Sequence, residues 1–306
     1  MKIVVSGGAG YIGRVLVRML VDSGHDVTVI DNFRFRQIDD IVGAKVIVGD
    51  VRDFDIPDCD YYLPLAGLVG APLCDKHPDE ARGVNLFHID DFIKNRLSQK
   101  IIYPTTNSGY GSGICTEASP LNPVSLYGQQ KVLAEKLILE AGESVTLRLA
   151  TVFGVSPCMR SDLLVNWLVL QAVLGRPVDL YESHFTRNYV HVKDVAYAFL
   201  YCMENFDMMS HGNGFTISSN SQVTSMGDSC CYNFGLSDCN LSKRELCEVI
   251  KSVVPSFVYK EVSGIKDQDQ RNYIVSNEKI ESKGLRAEIS LRQGIEELVL
   301  WYKGRL

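Results

Sequence analysis

The feature that most constrains the fold of this chain is a glycine-rich segment at residues 7–13, with the sequence Gly-Gly-Ala-Gly-Tyr-Ile-Gly. Residues 3–6 before it form a short apolar run, and apolar positions recur at helical spacing over residues 11–21. Glycines between a strand and a helix allow a tight turn, and they let backbone N–H groups approach a pyrophosphate at the positive end of the helix dipole. The segment predicts a βαβ unit that binds a dinucleotide.

An acidic residue follows the second predicted strand, residues 26–30. A carboxylate at Asp31 accepts hydrogen bonds from the adenosine ribose hydroxyls and repels a 2′-phosphate, so it predicts NAD rather than NADP. Arg34 and Arg36 lie near enough in sequence to offer a phosphate contact, and we expect the acid to dominate. The alternative is an ordinary glycine turn with a solvated Asp31.

Three more strand-like runs follow, at residues 44–48, 60–65 and 100–104, and Asp50 and Val51 come directly after the first of them. Helix-like segments separate the runs, which predicts parallel strands joined by right-handed crossovers. The predicted fold class is therefore α/β, with a doubly wound parallel sheet of the Rossmann type and a smaller C-terminal mixed α/β lobe for substrate.

The strand–helix rhythm loosens in the second half of the chain. We expect an NAD-binding domain over residues 1–160, to which a segment around 187–205 returns, and a mainly substrate-binding lobe over 161–306. Residues 207–228 are rich in Ser, Asn, Gly and Met, and they predict an inserted surface loop with one short strand at 215–218.

Composition excludes several classes of function. A net charge of −6 argues against a nucleic-acid-binding protein, and no uncharged apolar stretch approaches the roughly 20 residues that span a bilayer. The N-terminus has no basic leader followed by an apolar run, and nine cysteines without Cys-x-x-Cys spacing are typical of a reducing cytoplasm. Cys74 with His77, and Cys230 with Cys231, lack a second ligand pair, so no metal site is predicted.

A tyrosine precedes a lysine by four positions twice, at Tyr127/Lys131 and at Tyr189/Lys193. The first pair lies in a segment with helical apolar spacing, where residues four apart share a face. The second lies in an alternating, strand-like segment, where the two side chains would not align. The first pair is therefore predicted to be catalytic and the second structural.

Hydroxyl side chains follow the fifth predicted strand in residues 105–111, at the sheet edge where α/β enzymes bind ligands. One of them should hydrogen-bond a substrate hydroxyl and Tyr127. A free tyrosine has a pKa near 10, and the Lys131 ammonium together with a positive nicotinamide favours the phenolate. Tyr127 is then a general base that removes a proton from a sugar hydroxyl during oxidation.

The glycine segment, Asp31, the 105–111 loop and the Tyr-Gly-Gln-Gln-Lys motif at 127–131, in this order, resemble the extended short-chain dehydrogenase/reductases, the NAD-dependent epimerase/dehydratase family. Within that family the chain resembles the GDP-heptose 4-dehydrogenases of capsule biosynthesis. This second likeness covers nearly the whole chain, apart from the 207–228 insertion. It rests on residues 68–74, 106–111, 148–157, 162–166, 187–192 and 269–277.

The resemblance implies roles for individual residues. The catalytic set is Thr106, which stands four residues before Tyr110, with Tyr127 and Lys131. The cofactor contacts are Gly7, Gly10, Tyr11, Ile12, Asp31, Asn32, Asp50, Val51, Leu65, Ala66, Tyr127 and Lys131. The substrate contacts are Ser108, Asn166, Arg187 and Arg271, with both arginines facing the diphosphate; Arg160 is a further candidate. Each arginine is alternatively a solvated surface charge.

The resemblance also implies a homodimer, formed by helices at residues 79–96 and around Tyr127. The apolar positions Leu126, Leu133 and Leu137 fit such an interface, and they fit packing on the sheet equally well.

The implied reaction is NAD-dependent oxidation of a nucleotide-linked sugar at its C4 hydroxyl. Release of the 4-keto product makes a 4-dehydrogenase, and re-reduction makes a 4-epimerase; the same Thr-Tyr-Lys set serves both. A silent NAD-sensing protein on this fold typically lacks the tyrosine or the lysine, and both are present here. Asn107 and Ser108 follow Thr106 where 4,6-dehydratases carry an Asp-Glu pair, so loss of water is not expected.

Overall fold

The computed structural model describes residues 1–34, 41–95, 98–210, 230–263 and 272–305. The strands in chain order are β1 (Lys2–Ser6), β2 (Asp26–Asp31), β3 (Lys45–Val48), β4 (Tyr61–Pro64), β5 (Lys100–Thr106), β6 (Ser112–Cys115), β7 (Ser144–Leu149), β8 (Thr151–Phe153), β9 (Val178–Tyr181), β10 (Thr186–His191), β11 (Cys231–Phe234), β12 (Asn240–Ser242), β13 (Tyr259–Val262) and β14 (Asn272–Val275).

The helices in chain order are α1 (Tyr11–Asp22), α2 (Ala71–Lys76), α3 (Pro78–Arg82), α4 (His88–Asn95), α5 (Leu126–Glu140), α6 (Leu164–Val173), α7 (Val192–Glu204), α8 (Phe206–Ser210), α9 (Lys243–Val253), α10 (Glu278–Ser282) and α11 (Leu291–Lys303). A π-helical turn at Gly83–Phe87 joins α3 to α4.

The main sheet, as far as the described residues form it, has seven strands in the order β11-β7-β5-β4-β1-β2-β3. Every neighbouring pair in it is parallel, as crossover connections require. The strand order reverses between β1 and β4, which makes the crevice there the usual ligand site of such a sheet. The predicted doubly wound α/β fold is confirmed.

Alternating side chains give the sheet two buried faces. In β1, Ile3 and Val5 point into the core shared with α1 and α7, whereas Val4 points to the face covered by α5. Such continuous apolar strands are typical of parallel sheets covered on both sides. Helices packed on both faces hold the parallel strands in place, with their carboxyl ends along one edge of the sheet.

The second half of the chain contributes to both the main sheet and smaller ones. Its strand β11 extends the main sheet beyond β7, and its helix α7 packs against α1. Within the described ranges, the small sheets β12-β10-β8, β13-β9 and β14-β6 stand apart from the main sheet. Helix α9 begins with a capping box, in which Ser242 and Glu245 are bonded reciprocally.

The segment 207–228, predicted to be an insertion, overlaps α8 (Phe206–Ser210), after which the described residues stop. The strand predicted at 215–218 lies outside the described residues. No helix in the described ranges is long and apolar enough to cross a bilayer.

Candidate active site

A cavity of about 770 Å³ opens at the carboxyl ends of the main-sheet strands. Most of the residues predicted for cofactor and catalysis line it together. They are Gly7, Gly10, Tyr11, Ile12, Asp31, Asn32, Asp50, Val51, Leu65, Ala66, Thr106, Ser108, Tyr127 and Lys131. One continuous surface thus brings together side chains from the glycine turn through to the α5 helix.

At Gly7 and Gly13 the glycine turn is packed too closely for a side chain. Gly7 has a φ of 73°, and a Cβ atom there would lie 2.5 Å from the Ala66 nitrogen at the end of β4. A Cβ at Gly13 would collide with the Gly7 carbonyl oxygen. Glycines before and within the first turn of α1 therefore leave backbone groups open to the cavity.

Asp31 ends β2 with its carboxylate held in place by backbone groups. Its Oδ2 accepts from the Ala9 N–H at 2.9 Å, and its Oδ1 accepts from the Phe33 N–H at 2.8 Å. Burial raises the pKa of Asp31, and the two backbone hydrogen bonds oppose that rise. Each carboxylate oxygen keeps acceptor capacity for a ribose hydroxyl.

Two charged pairs that the sequence analysis missed line the same cavity as Asp31. Arg52 binds the Asp50 carboxylate with two hydrogen bonds of 2.8 Å, which lowers the pKa of Asp50 to about 2. Arg34, considered above for a 2′-phosphate, pairs with Glu80 on α3 instead, and both side chains line the cavity. Arg52 lies two residues after Asp50, the spacing that could have indicated this pair.

The catalytic loop and α5 meet at the same wall of the cavity. The Thr106 and Ser108 hydroxyls lie 2.8 Å apart, and Thr106 Oγ1 also accepts from the Ser108 N–H at 3.1 Å. Helix α5 begins after Ser125, whose hydroxyl accepts from the Gly128 N–H. This cap places Tyr127 in the first turn of α5, where it lines the cavity together with Thr106 and Ser108.

Lys131 follows Tyr127 one turn later on α5 and also faces the cavity. Its ammonium donates to the Tyr103 hydroxyl at 2.7 Å. Burial lowers the pKa of Lys131 to about 7, and the negative charge of Glu135 opposes that fall. The ammonium is thus only weakly favoured over the neutral amine before any ligand binds.

The second Tyr-x-x-x-Lys pair is separated by the fold. Tyr189 lies in β10 and is 0% exposed, whereas Lys193 lies in α7 and pairs with Glu297 at 2.6 Å. Neither residue lines the cavity. The structural interpretation of this pair agrees with its position.

The predicted substrate contacts differ in where they lie. Ser108 and Arg160 line the cavity, where Asp162 holds the Arg160 guanidinium through contacts of 2.6 and 2.5 Å. Arg187 lies behind the wall, 5.5 Å from the centre of the Tyr273 ring, and Tyr273 lines the cavity. Arg271 lies outside the described residues.

Asn166 lies in the interior, not on the cavity surface. Its Oδ1 accepts from the Gly154 N–H at 3.0 Å, and its Nδ2 donates to the Tyr11 hydroxyl and to the Arg160 carbonyl oxygen. Both amide hydrogens are used in these bonds. The geometry therefore favours Asn166 as a brace for Tyr11 and Arg160, and its contact with substrate phosphate stays a prediction.

A buried charge pair supports α5 from below. Glu135, eight residues after Tyr127, accepts from Arg148 of β7 at 2.5 Å, and both side chains are less than 5% exposed. Arg148 also donates to the Tyr110 hydroxyl at 2.8 Å. The pair therefore ties the catalytic helix to the loop that carries Thr106.

The model of the NAD-dependent epimerase/dehydratase family matches residues 3–218, more than half of the chain. The chain belongs to this family. A UDP-glucose 4-epimerase of Halalkalibacterium halodurans is 26% identical over 319 residues, covering 92% of this chain and 89% of that protein.

Two solved structures show the same fold over the whole of this chain. MoeE5 in complex with UDP-glucuronic acid and NAD has a TM-score of 0.78 at 24% identity, covering 100% of both chains. The UDP-glucose 4-epimerase of Thermus thermophilus in complex with NAD has a TM-score of 0.79 at 20% identity, again covering 100% of both.

NAD is the cofactor of this family member, and the cavity fits it. The cradle at Gly7 would be filled by a single Cβ, and Asp31 keeps free acceptor capacity. A 2′-phosphate would meet the Asp31 carboxylate, which suits the ribose hydroxyls of NAD instead. Among the described residues, no cluster of three His, Cys, Asp or Glu side chains could hold a metal ion.

Proposed function

We propose that this protein oxidises the C4 hydroxyl of a sugar carried by a nucleoside diphosphate, in the manner of a GDP-heptose 4-dehydrogenase. The observation that carries the proposal is the single cavity that joins Asp31 and the glycine turn to Thr106, Tyr127 and Lys131. Its volume of about 770 Å³ lies within the usual range of ligand-binding cavities.

The proposed chemistry divides among three side chains. Thr106 holds the substrate hydroxyl, and Tyr127 removes its proton as general base. The Lys131 ammonium favours the phenolate form of Tyr127 and binds the nicotinamide ribose. NAD, when bound, supplies the acceptor for the hydrogen lost from C4.

Arg160 and Arg187 support an anionic substrate. Arg160 lines the cavity with its guanidinium fixed by Asp162, and Arg187 lies behind the Tyr273 ring, which lines the same cavity. Planar guanidinium groups match phosphate oxygens, so we assign the diphosphate to this end, with Arg271 as a further contact.

The second candidate function is 4-epimerisation, in which the ketone is reduced again from the other face. It is favoured by the relative named UDP-glucose 4-epimerase, which covers 92% of this chain. Incubation with a panel of UDP-, GDP-, dTDP- and CDP-sugars separates the two. Net formation of NADH with a product lighter by two hydrogens supports the dehydrogenase. Inversion at C4 without net NADH, seen by NMR, supports the epimerase, and turnover of none of the sugars contradicts both.

Loss of water is not part of the proposed reaction. Asn107 follows Thr106 and is fully buried, with neither amide atom bonded to a described residue and no place in the cavity wall. An amide side chain acts as neither an acid nor a base near neutral pH, and the Ser108 hydroxyl is a weak acid and a weak base. Mass analysis should therefore find the C6 oxygen retained, and a product lighter by one water would contradict the assignment.

We also propose that the protein is a homodimer joined through α4 and α5. On α5, Ala134 and Ile138 face the sheet, whereas Leu133 on the opposite face is 50% exposed. Phe87, just before α4, is 52% exposed. Light scattering should give twice the mass of one chain, and Leu133→Glu should lower it to one; a monomeric wild-type protein would contradict the proposal.

A further inference from the structure

Tyr103 contacts the functional group of Lys131 in two ways. Its hydroxyl lies 2.7 Å from the Lys131 Nζ, and its ring centre lies 4.0 Å from the same atom. Tyr103 lies in β5 three residues before Thr106, is 2% exposed, and is not part of the cavity wall. Its contact with a cavity residue is therefore the one with Lys131.

The surroundings of Lys131 explain why such support matters. Besides Tyr103 on β5, the groups that act on its ammonium are Glu135 on its own helix and Cys74 on α2, and Tyr127 acts on Tyr103. The charge of Glu135 is already shared with Arg148. Burial works against the ammonium, so an acceptor oxygen and an aromatic face at contact distance favour its charged form.

Tyr103 itself is suited to this role because it stays neutral. Burial raises the pKa of its phenol well above the ordinary value, so its hydroxyl oxygen accepts a hydrogen bond without adding a charge. Its ring belongs to the apolar face that α5 covers, together with Ala134 and Ile138. The sheet thus holds the phenol rigidly beneath the helix.

We propose that Tyr103 is a positioning residue for Lys131, holding the ammonium by its hydroxyl oxygen and ring face so that the charge is presented to Tyr127 and the nicotinamide ribose. The proposal rests on the proposed function for its catalytic consequence. The hold on Lys131 is measurable without turnover.

The test compares Tyr103→Phe with the matched control Tyr232→Phe in the NAD-loaded protein. The first variant keeps the ring and removes the acceptor oxygen. The control removes the buried Tyr232 hydroxyl on the edge strand β11, away from the cavity. This hydroxyl donates to the Met209 carbonyl oxygen on α8. Carbon-13 NMR of labelled lysine gives the Lys131 pKa, with Lys131→Met assigning the signal.

The expected result is a fall of about one unit in the Lys131 pKa of Tyr103→Phe, and none in the control. The alkaline limb of kcat/KM should move down by the same amount, so activity above both values falls about tenfold and recovers at lower pH. An unchanged Lys131 pKa in Tyr103→Phe would overturn the proposal.

Two further outcomes are informative. If Tyr103→Phe does not fold, the wild-type spectrum still decides, because a Lys131 Nζ 2.7 Å from the Tyr103 hydroxyl brings the Lys131 ε-methylene protons close enough to the ring protons for a nuclear Overhauser effect; its absence contradicts the contact. If the Lys131 pKa falls as expected but no nucleotide sugar is turned over by the wild-type protein, the contact stands and the proposed function fails.

Discussion

At the scale of single residues, the repeated Tyr-x-x-x-Lys pattern shows how backbone context assigns a role to a side chain. Tyr127 faces the cavity from a helix, whereas Tyr189 is buried in a strand and Lys193 serves Glu297. Sequence spacing alone is identical in the two cases. The helical periodicity around Tyr127 carried the distinction, and the structure places the two tyrosines accordingly.

Tyr127→Phe should lose turnover by roughly 10²- to 10⁴-fold while keeping NAD affinity, because only the proton acceptor is removed. Stopped-flow absorbance of NADH and calorimetric titration of NAD measure the two properties. Tyr189→Phe is the matched control and should keep its activity. If Tyr189→Phe were the inactive variant instead, the placement of the active site would be wrong.

Asp31→Ala should weaken NAD binding about 10- to 100-fold and narrow the preference over NADP, since a charged acceptor of ribose hydroxyls and a repulsive carboxylate are lost together. Titrations of both cofactors check this. Asp26→Ala, an exposed acid at the other end of β2, should leave both affinities unchanged. Equal binding of NAD and NADP by the wild-type protein would refute the role of Asp31.

Lys131 makes stability depend on pH. Its pKa is about 7 in the folded protein and near the ordinary lysine value in the unfolded chain, so between these values the unfolded state binds more protons. The free energy of unfolding of the apo-protein should therefore rise from about pH 7 to about pH 10. Urea unfolding should show this contribution missing in Lys131→Met; an identical pH slope in the variant would contradict it.

At the scale of elements, α5 is the part that assembles the site. It carries Tyr127, Lys131 and Glu135 at intervals of four, so one face presents the proposed base, the lysine and the buried anion in turn. Its Ser125 cap sets where the helix begins, and the Glu135–Arg148 ion pair links the helix to β7 of the sheet.

Arg148→Met should destabilise the protein by about 3–5 kcal/mol, because Glu135 would be left charged and buried without its partner. Adding Glu135→Gln should recover part of the loss. Urea unfolding of the two single variants and the double variant checks this.

Arg18→Met is the control for the Arg148 prediction. It breaks an exposed i,i+4 pair with Asp22 and should change stability by less than about 1 kcal/mol. A similar small effect from Arg148→Met would mean that the buried pair does not hold α5.

How much could be predicted follows from how local each feature is. Strands β1 to β5 and the residues at their carboxyl ends were predictable, because alternation, glycine and Asp31 are visible within a few positions. Strand β11 was not, since its four residues become a strand only by pairing with β7. Tyr103 and the interior position of Asn166 were missed for the same reason: their partners are remote in sequence and chosen by packing.

At the scale of the whole molecule, the main sheet depends on both halves of the chain. The fragment 1–160, taken without the segment around 187–205 that is predicted to return to it, lacks β11 and α7. It would leave the hydrogen-bonding edge of β7 and the apolar residues under α7 uncovered. Such a fragment should aggregate, because unpaired strand edges template association. Light scattering of the purified fragment checks this, and a monodisperse, folded fragment would contradict it.

Because β11 is synthesised long after β7, its pairing partner, the edge of β7 stays unpaired for a time during translation. Leu149 pairs with Phe234, and at about 5–20 residues per second a ribosome needs roughly 4–17 s to make the stretch between them. For those seconds the newest edge of the sheet has no neighbour, although β1 to β7 are already available to pair. Recovery of native protein should therefore depend on what shields that edge during synthesis, and slower translation of the intervening stretch should lengthen the exposure.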